Sequence, residues 1–134
     1  MRLNKSLFYL HRCIAILNTF AFFYVIACIT EDKASYQKYD TILNIVIGII
    51  LIFALIHFKA SNEVSKGTKL GKCLSKGIGI LFVIQIPFCF VIKMAVAMLA
   101  SQEEWISTPL CISIGVIMIV LASENHWQSK DKNN

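Results

Sequence analysis

A chain of 134 residues is enough for one domain, and 57% of it is hydrophobic against 16% charged, with a mean hydropathy of +0.66. A water-soluble domain of this size leaves too much surface exposed to hide that much apolar side chain, so the composition excludes an ordinary soluble fold and points to lipid as solvent. The net charge of +5 does not indicate nucleic acid: the basic residues gather at the ends of apolar runs, with no aromatic-interleaved basic patch or nucleic-acid-binding motif.

The expected fold is all-α, a single polytopic membrane domain (1–134) with four transmembrane helices in a compact bundle. A helix needs roughly 20 apolar residues to cross a hydrocarbon core of about 30 Å. The first candidate stretch runs from Phe8 to Ile29, behind Arg2 and Lys5. It is long for a cleaved signal, and no A-x-A site follows. Val25-Ile26-Ala27-Cys28 resembles a bacterial lipobox, and cleavage there would leave Cys28 as an outer-leaflet lipid anchor. The uncleaved helix is the preferred reading, since a multi-span chain needs no such anchor.

The second stretch runs from Thr41 to Phe58 and is short enough to stand nearly upright. After it comes a basic loop with Lys59, Lys66, Lys69, Lys72 and Lys76. If helical, Lys66, Lys69, Lys72 and Lys76 would share an arc of about 120°. Gly67 and Gly71 weaken that helix by roughly 1 kcal/mol each relative to Ala. Those four lysines are expected to lie on anionic headgroups or to dock a cytoplasmic partner.

The third stretch, Gly77 to Ala100, contains the charged Lys93. Its thirteen Leu, Ile, Phe and Val residues contribute about −6 kcal/mol to insertion, which exceeds the +2.5 to +3.5 kcal/mol of even a central Lys. Pro87 lacks the N–H that would bond the Val83 carbonyl and should kink the helix. The fourth stretch, Trp105 to Ala122, is again short.

Ten Lys and Arg residues fall on one side of these spans (Arg2, Lys5, Arg12, the loop lysines, Lys130 and Lys132), against Lys33 and Lys38 on the other. That partition predicts both termini in the cytoplasm, in a bacterial inner membrane. Trp105 and Trp127 fall where interfacial rings settle.

Polar groups inside a span are expensive and are therefore candidates for function. Lys93 lies about 10 Å below the outer boundary, at a depth similar to Asn44 and Tyr24, so an outward anion pocket is one reading. The other is that Lys93 snorkels and pairs with Asp40, Glu103 or Glu104. Gln85, Cys89 and Lys93 share one helix face, and Asn18 matches Gln85 in depth, so those two amides are expected to hydrogen-bond as packing glue. Gly48, Ala54 and Gly115 offer close-approach points, with no GxxxG in any span.

No cofactor or metal is expected. His11, His57 and His126 lie near cytoplasmic span ends. His11 and His57 are at matched depth for a bis-imidazole haem, but no ligand lies deep enough to bury a porphyrin. The five cysteines form no CxxC pair and are expected to be reduced. No intramembrane carboxylate, HExxH, GxSxG or phosphate-binding loop is present, so no catalytic residue is assigned. The expected partners are the bilayer and another membrane protein or a second copy. The expected role is that of a non-enzymatic interaction, accessory or immunity-type protein. The alternative is a small oligomeric transporter or channel-like protein using Lys93 for an anionic substrate.

Overall fold

The computed structural model describes residues 2–31, 33–37, 40–84, 103–123 and 127, and all regular structure among them is helical. The elements are α1 (Arg2–Glu31), the one-turn α2 (Lys33–Tyr36), α3 (Asp40–Lys66), α4 (Lys69–Val83) and α5 (Glu103–Leu121). Two of them, α1 and α3, are long and apolar enough to cross a membrane, while the apolar part of α5 (Thr108–Leu121) is shorter. Lys93, Gln85, Cys89, Pro87 and His126, and the Trp105 side chain, lie outside the described residues.

Both long helices outrun their expected apolar stretches. At 1.5 Å per residue, the 30 residues of α1 span roughly 45 Å and the 27 of α3 roughly 40 Å. The basic segment after Phe58 is thus not a loop. It is the last two turns of α3, a two-residue turn, and the first half of α4.

The turn explains why. Gly67 has φ 71°, the left-handed conformation that only glycine adopts without strain. The Gly67 N–H bonds the Val64 carbonyl and the Thr68 N–H bonds the Glu63 carbonyl, a Schellman closure of α3. Thr68 at once caps α4, its hydroxyl accepting from the Gly71 N–H at 3.1 Å. The same hydroxyl donates to the Glu63 carboxylate at 2.8 Å. That bond, reinforced by Lys66 at 3.4 Å, holds the Glu63 carboxyl below its ordinary pKa. Gly71 then lets the two backbones touch, since a Cβ there would lie 2.6 Å from the Glu63 carbonyl carbon.

Helix α4 ends at Val83, whose carbonyl is the one Pro87 has no N–H to satisfy. α5 packs antiparallel on α4. A Cβ on Gly115 would meet the Gly79 oxygen at 2.6 Å and the Phe82 Cβ at 2.9 Å, and one on Gly79 would meet Ile119 and Met118. The start of α1, the α3–α4 turn and the end of α5 therefore lie at one end of the helix set. Leu7, Val64 and Ala122 belong to a single buried cluster there, with Trp127 packed against it.

Elsewhere many large apolar side chains face outward, such as Phe20 (69% exposed) on α1 and Ile42 (62%) on α3. The hydroxyls of Thr19 and Thr30 are turned back onto their own helix carbonyls, at 2.9 and 2.6 Å.

Candidate functional site

The structure turns its polar side chains inward at one level, where α1, α3 and α4 meet. His11, His57 and Ser75 are fully buried there. The His11 Nδ1 lies 3.0 Å from the His57 Nδ1, and the His11 Nε2 lies 2.8 Å from the Ser75 Oγ. The Ser75 Oγ is also 2.8 Å from the Gly71 carbonyl oxygen. The edge of the Phe82 ring closes the site, its centroid 6.2 Å from that of His57.

With both rings neutral, these distances allow one arrangement of protons. A carbonyl only accepts, so the single Ser75 hydroxyl proton points at Gly71. The Ser75 oxygen must then accept from His11, which places a proton on the His11 Nε2. Two N–H groups cannot face each other at 3.0 Å and burial disfavours a charged ring, so the arrangement with both imidazoles neutral leaves the His11 Nδ1 bare, accepting from the His57 Nδ1–H. The chain runs His57 to His11 to Ser75 to Gly71. Every contact is then a donor meeting an acceptor, which a buried network requires.

Superficially this is a serine beside a histidine oriented by a third group, the arrangement that activates nucleophiles. The direction is wrong for that chemistry. The Ser75 proton is committed to a carbonyl rather than to the His11 ring, and the oxygen is buried. Haem fits no better: two nitrogens bound trans to one metal stand about 4 Å apart, at roughly 2.0 Å each, and 3.0 Å is a hydrogen bond. Among the described residues no cluster of three or more His, Cys, Asp or Glu is placed to hold a metal. Cys13, Cys28 and Cys73 are free thiols.

One turn along lies a second polar knot. The Arg12 guanidinium donates to the Asn62 Oδ1 at 2.7 Å and sits 5.3 and 5.2 Å from the centroids of the Phe8 and Phe58 rings. Arg12 is thereby a tie between α1 and α3 rather than only a flanking charge.

The candidates from sequence separate. Asn44 and Tyr24 are exposed. The Asn44 amide donates to Asp40 at 3.4 Å on its own helix. Asn18 is buried and donates to the Ile14 carbonyl at 2.8 Å. Its expected partner Gln85, like Lys93, lies outside the described residues. Lys66 closes α3, whereas Lys69, Lys72 and Lys76 belong to α4, so the four lysines do not share one helix.

Matched depth relates His11 to His57 in the sequence only as prospective haem ligands, not as a hydrogen-bonded pair. Ser75 was missed because it sat in what read as a loop, although Gly71, Ser75 and Gly79 form a small-residue stripe at i, i+4, i+8. In comparisons with known proteins, no family, no curated protein and no solved structure matches this chain.

Proposed function

We propose that this is a multi-pass protein of a bacterial inner membrane, with both termini cytoplasmic, that acts without catalysis on another membrane component as an accessory or protective partner. The observation that carries this reading is the inside-out distribution of polarity. The buried polar groups near the start of α1 are engaged in tying α1, α3 and α4 together. Large apolar side chains such as Phe23 and Leu55 meanwhile face outward along α1 and α3. A soluble domain does the reverse.

Two facts support the orientation. Ten of the Lys and Arg residues flank the segments that the helices bring to one end, and the chain's own geometry puts its start and α5's end there. Outward faces of α1 and α3 are the surfaces such a partner would use, by close van der Waals packing in lipid.

Affinity purification of the tagged protein at endogenous level in mild detergent tests the role. A stoichiometric membrane-protein partner is expected, and recovery of the chain alone would refute it. Reporter fusions after Asn134 that are active only outside the cytoplasm would refute the orientation.

A further inference from the structure

We propose that the outward face of α4 seats an anionic phospholipid of the cytoplasmic leaflet, with the headgroup on Lys69, Lys72 and Lys76 and an acyl chain over Cys73, Gly77 and Ile80. This rests on the membrane reading and orientation given above.

The geometry begins with the buried face. Gly71, Ser75 and Gly79 point α4 inward, which turns the opposite side out. At 100° per residue, Lys69, Lys72 and Lys76 fall within an arc of about 60° on one flank, descending roughly 10 Å along the axis. Lys69 is exposed, and Lys72 and Lys76 are half-buried. Beside them runs an exposed stripe containing Cys73, Gly77 and Ile80. Gly77 makes a notch in it, with no atom within 4 Å of where a Cβ would stand.

A graded basic flank next to an exposed apolar stripe matches a molecule with an anionic head and a hydrocarbon tail. In the adjoining turn Glu63 is engaged by Thr68 and Lys66.

The full chain, extracted in mild detergent, is titrated with phosphatidylglycerol and phosphatidylcholine of identical acyl chains and read by native mass spectrometry. Preferential retention of phosphatidylglycerol is expected. Each single Lys→Gln change on the flank should weaken it about fivefold, and the triple change by roughly 100-fold. The triple Lys→Arg variant should retain binding, which separates lost charge from lost fold, and Lys33→Gln at the far end should change nothing. Gly77→Phe, which fills the notch, should lower retention without altering helical content.

Equal retention of the two lipids, indifference to the triple Lys→Gln change, or a Cys73-crosslinked dimer in place of lipid adducts would overturn the proposal. Recovery of the protein without detergent would instead overturn the membrane reading beneath it.

Discussion

Replacing Ser75 with alanine removes one oxygen from the junction of α1, α3 and α4 and leaves the His11 Nε2–H facing a methyl group. The Gly71 carbonyl is not orphaned, because in α4 it still accepts the backbone N–H of residue 75. The whole cost therefore falls on one donor in a site that water does not reach, His11 being fully buried. An unsatisfied buried donor costs about 1–3 kcal/mol, while hydrogen bonds between helices in membranes average about 0.6 and rarely exceed 1.7. Between those bounds we expect about 1–2 kcal/mol, a five- to thirtyfold shift in the folding equilibrium.

Reversible unfolding in mixed micelles, titrated with a denaturing detergent, measures this. Ser65→Ala is the control, since Ser65 also bonds a carbonyl of its own helix but is exposed, and it should stay within about 0.5 kcal/mol. Nitrogen-15 shifts of the imidazole rings give a second readout. In the wild type the His11 proton should reside on Nε2 and the His57 proton on Nδ1. A Ser75→Ala cost no greater than that of Ser65→Ala, or a His11 proton found on Nδ1, would refute the directional chain.

Other outcomes follow from the same contacts. Gly115→Ala places a methyl 2.6 Å from the Gly79 oxygen and should destabilise the α4–α5 pair by about 1–3 kcal/mol in the same unfolding assay. Gly48→Ala meets open space and should be neutral or stabilising by up to about 1 kcal/mol. Arg12→Leu loses the Asn62 bond and both ring contacts and should cost about 1–2 kcal/mol. A double-mutant cycle with Asn62→Ala should show coupling between the two sites, and strict additivity would argue against the tie. Because the Glu63 carboxyl is held below its ordinary value, its support of the α3–α4 turn is present in full above that value. It is lost as pH falls through the lowered one. Amide protection factors at Gly67 and Thr68, corrected for the intrinsic pH dependence of exchange, should fall on acidification, and Glu63→Gln should abolish that fall.

Helical class and the positions of α1 and α3 were legible in the residues alone, because each apolar side chain contributes a transfer free energy that sums along the chain independently of its neighbours. The same holds for the uneven partition of Lys and Arg. The α3–α4 hairpin was not legible. Lysine-rich segments flanked by Gly67 and Gly71 read as loop by propensity, yet Gly67 closes one helix and Gly71 admits the other against the Glu63 backbone. Asn44 and Tyr24 share a depth, which position along the chain reports, whereas their exposure depends on the neighbouring helices.

By itself, then, the order of residues determined which stretches are helical and apolar and which ends of those stretches are basic. Both are local sums over adjacent side chains. Tertiary structure alone decided that His11 meets a histidine 46 residues away and a serine 64 residues away. Hydrogen bonds need their atoms within about 3 Å and correctly aimed, and only the packing of α1 against α3 and α4 sets those positions.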